Sequence, residues 1–400
     1  MHRNKQTPEP IMVDSAGQVA AICGDIRSEG AFAFDTEFVM EDRYESDLCL
    51  IQLASRDTVA IIDPFLGLDI SEVWALVADE NVATVVHAGQ EDLAICVQHS
   101  GAVPRAVFDV QIAAGLVGHD YPISLQKLVH ALLGIRLHKS KTLTDWRRRP
   151  LSRAQVGYGA EDVCYLLEIH RRLRAALEKR GRTAWAREEF ERYEDIAFYR
   201  MAEEEKIARI KGTGALTGQQ LAVVHEVLAW RDETARRLNR PPRAVLKDHL
   251  LVEIARHRVT TPDEIRDLRG INIRMADIRA LCGIVQKALA LPADQWPKVK
   301  KSDAGSTDQT ILVSLLTAIA RSYCQEHDLS YNVTATNRSI RELLKYRVKG
   351  NSSDRQAPYL LTGWRRDSVG RLLDDVLAGR KTMRVDTQRG KPILRIENGE

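Results

Sequence analysis

Short apolar runs and longer helical periods alternate through the first third of the chain. Ile11–Val13, Ala31–Glu37, Leu48–Ala54, Thr58–Ile62, Val82–His87 and a segment near Val107 read as strands, rich in β-branched or aromatic residues and bounded by turn formers. Helical spacing predicts a helix capped by Asp14 or Ser15 and closed at Gly30, then helices over Ser71–Ala78, Glu91–His99, Gln111–Val117 and Leu125–Leu133. Ser152 caps a further helix expected to run unbroken to about Lys179. The early strands suggest an antiparallel meander, and the later alternation of strand and helix adds a mixed sheet with helices on both faces. Residues 1–10 read as disordered.

Beyond residue 180 the period is helical almost throughout. Residues 180–212 form a charged helical stretch with Trp185, Phe190 and Tyr193 on a packing face, ending at Lys211-Gly212-Thr213-Gly214. Helices are expected from Gln219 and over 248–256, 262–268 and 273–290, then a polar linker over 297–309, then helices over 310–326, 337–346 and 366–378. A hairpin of Thr382–Val385 and Pro392–Ile396 closes the chain. This divides it into residues 1–200 (core 11–175), 213–294 and 308–400.

Composition narrows the class without naming a function. The 400 residues suit about two to three domains. A content of 44% hydrophobic and 28% charged residues is that of a globular protein. The net charge of +3 is modest, so any nucleic-acid footprint must come from local basic clusters. The six cysteines are scattered with no Cys-x-x-Cys pair, which argues against a zinc site and fits reduced thiols. The polar start and the lack of a long apolar run predict no signal peptide, no membrane span and a cytoplasmic location.

The chemistry begins at the end of the second strand. Asp35 and Glu37 are two apart, so both leave one face of a strand. Two such acids repel unless a cation lies between them, and hard divalent ions take carboxylate oxygens. A solvated turn fits the same Asp-x-Glu. Asp92 opens the helix that follows the Val82–His87 strand, where α/β sheets present ligand-binding groups; complementing the helix dipole is its alternative role, and Glu91 is the rival acid. Tyr158 and Asp162 are four apart and share a helix face. Gly157 and Gly159 flank Tyr158 and are read as clearing room for a bulky substrate.

In order, Asp35, Glu37, Asp92 and Asp162 with Tyr158 resemble the four-carboxylate 3′-to-5′ exonuclease family on the ribonuclease H-like α/β fold. The stretches Phe-Asp-Thr-Glu-Phe-Val (34–39), His-Ala-Gly-Gln-Glu-Asp-Leu (87–93), Phe-Asp-Val-Gln-Ile-Ala-Ala (108–114), Thr-Asp-Trp-Arg-Arg-Arg-Pro-Leu (144–151) and Tyr-x-x-x-Asp (158–162) resemble its ribonuclease D branch. A sister branch has histidine five residues before the last acid; here that position is Gly157, so the tyrosine branch matches. Residues 215–294 resemble the all-α HRDC domain, a helical module that often binds nucleic acid, and 308–400 loosely match a second, divergent HRDC-like domain.

The resemblance implies a metal-dependent 3′-to-5′ exoribonuclease that releases nucleoside 5′-monophosphates and trims RNA, transfer RNA precursors and other 3′-extended structured RNA included, as a monomer. It implies Asp35, Glu37, Asp92 and Asp162 as ligands of two divalent cations, Mg²⁺ or Mn²⁺, which activate the attacking water and support the departing 3′ oxygen from roughly 4 Å apart. It implies that Tyr158 orients that water; with an ordinary pKa near 10 a phenol is a poor base. Phe38 is a candidate wedge beside the terminal base or a core residue. Lys139, Lys141 and Arg147 to Arg149 are candidate phosphate contacts or a solvated face. Asp109 reads as a helix cap and, by resemblance, as support for the site; His87 reads as completing a strand end. Arg231, Arg236, Arg237, Arg240 and Arg243 cluster near a turn in the HRDC-like stretch, and Arg338, Arg341, Lys345, Arg347, Arg365, Arg366 and Arg371 give the C-terminal segment a basic character, as RNA contacts or as part of a packed buttress. The rival functions are the same chemistry on DNA and a non-catalytic RNA-binding scaffold.

Overall fold

The computed structural model describes residues 9–137, 145–200, 203–297, 307–348, 356–388 and 391–398. The expected disorder of residues 1–10 falls mostly outside these, as does most of the expected linker over 297–309. The chain divides into two compact units: one comprises the chain up to Glu37, Leu50–Asp195 and everything from Gly305 onward; the other comprises Phe38–Cys49 and Ile196–Ala304.

The first unit is built on a six-stranded mixed sheet. Its strands are β1 (Ile11–Val13), β2 (Ala31–Val39), β3 (Asp47–Ala54), β4 (Val59–Ile62), β5 (Ala83–Val86) and β6 (Val107–Asp109), in the spatial order β1-β4-β3-β2-β5-β6. β3 and β4 pair antiparallel, whereas β2, β5 and β6 run parallel. Leu48–Ala54 and the whole of β4 are buried, as expected of central strands covered on both faces. Phe32, Ala33 and Phe34 of β2 are fully buried and anchor the strand that ends in the acids.

Helices α1 (Ala16–Glu29), α2 (Ser71–Val77), α3 (Gln90–Ser100), α4 (Val110–Gly115), α5 (Leu125–Leu133), α6 (Arg153–Cys164), α7 (Leu166–Lys179) and α8 (Thr183–Glu191) complete this part of the chain. Ser15 precedes α1, and Gly30 ends it in the left-handed conformation. The single helix expected from Ser152 to Lys179 is instead two, parted at Tyr165 (φ −102°, ψ −11°). The two halves pack on different neighbours, α6 on β4 and α7 on α4, α5 and β5, so tertiary packing overrides a continuous helical pattern.

The second unit holds α9 (Glu203–Arg209), α10 (Gly218–Leu238), α11 (Pro242–Val245), α12 (Asp248–His257), α13 (Pro262–Arg266) and α14 (Met275–Leu289) around one apolar core that includes Val224, Val227, Leu251, Leu281 and Val285. The C-terminal segment of the first unit contains α15 (Thr307–Glu326), α16 (Tyr331–Thr334), α17 (Asn337–Val348), α18 (Gly363–Arg365), α19 (Arg371–Leu377) and the antiparallel hairpin β7 (Lys381–Gln388) and β8 (Lys391–Asn398). The helix expected over 366–378 is interrupted: Arg366–Gly370 is a wide π-turn with Ser368 far from helical angles (φ −123°, ψ −118°). No helix among the described residues is long and apolar enough to cross a membrane.

The aromatic packing face at 185–193 meets this C-terminal segment. Trp185 stacks on Trp364 with ring centroids 4.5 Å apart. Glu189 accepts from Trp364 Nε1 (2.9 Å) and Arg365 Nη1 (2.5 Å), and Arg365 also donates to the Val333 and Thr334 carbonyls. Arg365 is therefore a buried structural cation, not a solvent-facing RNA contact. Its burial follows from a complete set of acceptors, without which a guanidinium is not buried.

Candidate active site

Asp35 and Glu37 leave β2 on one face, and Thr36 between them faces the other way and is buried. The backbone N–H of Thr36 donates to Asp92 Oδ1 at 3.0 Å, and its hydroxyl donates to the same oxygen at 2.6 Å. One residue of β2 thus holds the acid that arrives from α3, which makes Thr36 a functional residue missed by sequence reasoning. Its only signal was a hydroxyl lying between two acids.

The turn from β5 into α3 is tightly specified. Ala88 has φ +56°, and a side chain at Gly89 would meet Val86 Cβ at 2.5 Å, so glycine is required there. Asp109 caps α4, accepting from the N–H groups of Gln111 (2.9 Å) and Ile112 (3.4 Å), and also accepts from the Ala88 N–H at 3.1 Å. Tyr193 donates to its other oxygen at 2.8 Å. Asp109 therefore braces the turn that aims Asp92. His87 Nε2–H donates to the Ile123 carbonyl at 2.9 Å and closes the strand end. Asp92 is buried while Glu91 is exposed, which separates the two rival acids.

Asp162 and Tyr158 come from α6, whose start is fixed by a reciprocal capping box of Ser152 and Gln155. Their side chains are hydrogen-bonded to each other. A side chain at Gly159 would meet Gln52 Nε2 at 3.1 Å and Leu50 Cδ2 at 3.3 Å, whereas one at Gly157 would meet nothing within 4 Å. The open space expected on both sides of Tyr158 exists only at Gly157; Gly159 lets α6 lie close against β3.

Carboxylate oxygens of Asp35, Glu37 and Asp162 all lie within 4.8 Å of one another. Burial, reinforced by Asp92, Asp162 and Glu37, holds the Asp35 carboxyl well above the usual range. Burial first, then Asp162 and Asp92, raises Glu37 to about 8. Burial raises Asp162 to about 7 against the lowering effect of the Tyr158 hydrogen bond, and raises Asp92 to about 6 against the two Thr36 bonds. The Tyr158 phenol is pushed up by burial and by the acids around it. Clustered carboxylates with proton affinities this high fit a cation site, and an all-oxygen donor set suits a hard divalent ion.

Other expected contacts are dispersed. Phe38 is half-buried on β2. Lys139 and Lys141 lie outside the described residues. Trp146 approaches Tyr158 with ring centroids 5.9 Å apart. Arg149 is held by Asp63 in a bidentate pair (2.5 and 2.7 Å) and lies over Phe65, so it fixes the loop instead of offering a free charge; Arg147 is half-buried and its N–H donates to Asp145. In the second unit Arg231 is buried and bonded to Asp248 and the Leu246 carbonyl, and Arg243 pairs with the same Asp248. Arg231 is thereby taken up in bracing α12, the packed alternative for this cluster, whereas Arg243 stays exposed. Arg236 lies over Tyr44 and donates to its hydroxyl at 3.1 Å, while Arg237 and Arg240 are exposed.

The sequence matches the 3′-5′ exonuclease family over residues 10–178 and the HRDC domain over residues 220–286. It is 32% identical to a ribonuclease D of Gluconacetobacter diazotrophicus, over 96% of this chain and 97% of that one. It is 33% identical to one of Granulibacter bethesdensis, over 98% of each. Among solved structures it is similar to Escherichia coli RNase D, described as an exoribonuclease involved in structured RNA processing, with a TM-score of 0.78 and 28% identity over 92% of this chain and 98% of that one.

Proposed function

The chain belongs to the ribonuclease D family of 3′-5′ exoribonucleases, and from that premise we propose that it removes nucleotides from RNA 3′ ends at the Asp35–Glu37–Asp92–Asp162 cluster, using two divalent cations, Mg²⁺ or Mn²⁺. The products are nucleoside 5′-monophosphates. The substrates are transfer RNA precursors and other structured RNA with 3′ extensions, and the protein acts as a cytoplasmic monomer. The observation that carries this reading is the convergence of three carboxylates within 4.8 Å from two separate elements, β2 and α6, with Asp92 tethered to the same strand.

Each group has a part that its surroundings support. Asp35, Glu37 and Asp162 would hold the cations, and Asp92 would complete the set from a position fixed by Thr36 and, through the turn, by Asp109. Cations held there would offset the charge of the crowded acids and would supply a lowered pKa for the attacking water and stabilisation of charge on the departing 3′ oxygen. Tyr158 keeps its proton, because its pKa is raised, and so orients the water through its hydroxyl while the acids set its own direction through Asp162. Phe38, on the strand that carries Asp35 and Glu37, is the candidate contact for the terminal base, and Lys139, Arg147, Arg236 and Arg240 remain candidate contacts for the rest of the RNA, Arg236 and Arg240 both being exposed.

A 3′-extended transfer RNA incubated with Mg²⁺ or Mn²⁺ tests this. Wild type shortens the extension, Asp35→Asn abolishes shortening, and Tyr158→Phe slows it by about 10²-fold, the scale of losing correct positioning of a reacting group. Full activity in Tyr158→Phe contradicts the orienting role.

A further inference from the structure

A second polar cleft of about 440 Å³ lies in the same unit as the carboxylates. One wall is the loop Gly118–Pro122, and the other is formed by Arg321 of α15 with Tyr331 and Asn332 of α16. The walls are pinned together. Asn332 Nδ2 donates to the Tyr121 carbonyl (2.8 Å), the Ser330 N–H donates to the Gly115 carbonyl (2.8 Å), and Arg182 donates to the carbonyls of Leu116, His327 and Asp328. Gly118 has φ +101°, and a side chain there would come within 3.2 Å of Asp328 Cβ, so the two walls approach as closely as a glycine permits.

The groups facing this cleft are of the kind that grip a nucleic-acid strand. The Arg321 guanidinium lies 4.4 Å above the Tyr331 ring, and the Tyr331 hydroxyl is fixed by Asn337. Arg321 is exposed and has no carboxylate partner among the described residues. By contrast, Arg338, Arg347, Arg365, Arg366 and Arg380 of the same segment are each paired with an acid. His119 is half-buried, and burial and Arg180 favour its neutral ring, which carries one donor and one acceptor. Arg180 is itself paired with Asp328, and among the described residues Asp120 is the one carboxylate lining the cleft. An exposed arginine held over a tyrosine ring, with no carboxylate partner among the described residues, suits a phosphate.

The loop wall also leads to the catalytic end of the sheet. Just past Pro122, the Ile123 carbonyl accepts from both His87 and Gln111, beyond the ends of β5 and β6 and close in sequence to Asp92. We propose that this cleft is a subsite for the single-stranded RNA that lies upstream of the reacting 3′ end, with Arg321, preset by Tyr331, holding a backbone phosphate. The assignment rests on the reading of the carboxylate cluster as the site of RNA 3′-end hydrolysis.

The test is a length series. With wild type and Arg321→Ala, KM and kcat are measured on a diribonucleotide and on an unstructured RNA of about a dozen nucleotides, and binding of the longer RNA is measured by fluorescence anisotropy in EDTA. Arg321→Ala raises KM and Kd for the longer RNA about tenfold, leaves kcat and the diribonucleotide KM unchanged, and lowers the salt slope of binding by about one. Arg321→Lys, which keeps the charge and loses the planar stack, falls between. An equal effect on both lengths, or none on either, overturns the subsite. Because the anisotropy arm needs no turnover, a wild-type protein that binds this RNA through Arg321 without shortening it sinks the hydrolytic reading and not the subsite.

Discussion

At the scale of single residues, the site depends on groups whose roles are visible only in three dimensions. Asp35 and Glu37 announce themselves by their spacing. Thr36, the residue between them, carries as much of the geometry by holding Asp92. Thr36→Val keeps the shape and removes the hydroxyl, a hydrogen bond to a charged group of about 1.5–3 kcal/mol. A fall of about tenfold or more in kcat/KM together with a drop of several degrees in Tm is expected, and steady-state kinetics beside a thermal melt check it. Charge was the least legible property. Arg231 and Arg365 read in the sequence either as RNA contacts or as part of a packed buttress, and both are buried among acceptors, because nothing in a linear pattern shows which acid a long side chain will meet. Asp109 was readable as a cap, but its hold on Ala88 was not, since that bond spans 21 residues.

The same acids give a pH dependence with a definite sign. In the absence of cations, Glu37, Asp162 and Asp92 have folded-state pKa values of about 8, 7 and 6, all above their unfolded values near 4. The folded state therefore binds more protons than the unfolded state between those limits, and the slope of stability with pH is negative there. In the metal-free protein the contribution of these groups is fully present below about pH 4 and is lost as pH rises from there towards about 8. Divalent cations compete with the protons, so Mn²⁺ or Mg²⁺ raises Tm more at pH 8 than at pH 5. Thermal melts across this range, with EDTA and with cation, give the comparison; a cation effect that is larger at pH 5 contradicts the cluster as the binding site.

At the scale of elements, strands and most helices were legible because hydrophobic periodicity and caps agreed. The helix from Ser152 and the helix near 366–378 were each expected whole and are each broken, since a propensity pattern cannot register that successive turns must reach different neighbours. The glycines of α6 show the same point. Gly157→Ala meets open space and gains about 0.5–1 kcal/mol from helix propensity. Gly159→Val presses on Gln52 and Leu50 and costs about 1–3 kcal/mol. Chemical denaturation of the two variants separates them: opposite signs support the close approach of α6 to β3, and equal effects contradict it.

At the scale of the whole molecule, the C-terminal segment shares a compact unit with Asp35, Glu37, Asp92 and Asp162. Its attachment runs through a buried ion pair, Glu189 with Arg365, beside the stacked Trp185 and Trp364. Arg365→Ala leaves Glu189 buried without its partner, at a cost of about 3–5 kcal/mol, which denaturant unfolding will register. A loss below 1 kcal/mol contradicts the pairing as a structural tie. Truncation before residue 305 removes part of the unit that holds the acids, so it cannot isolate an RNA-binding role, whereas single changes such as Arg321→Ala can.

The central claim, that the clustered carboxylates hydrolyse RNA from its 3′ end, is tested most directly with a 5′-labelled RNA carrying a single-stranded 3′ extension. Products are resolved to single nucleotides, for wild type and Asp35→Asn, with Mn²⁺ or Mg²⁺ and with EDTA. The expected result is a ladder that shortens from the 3′ end and releases nucleoside 5′-monophosphates in wild type with cation, and no ladder in Asp35→Asn or with EDTA. Undiminished shortening by Asp35→Asn contradicts the account.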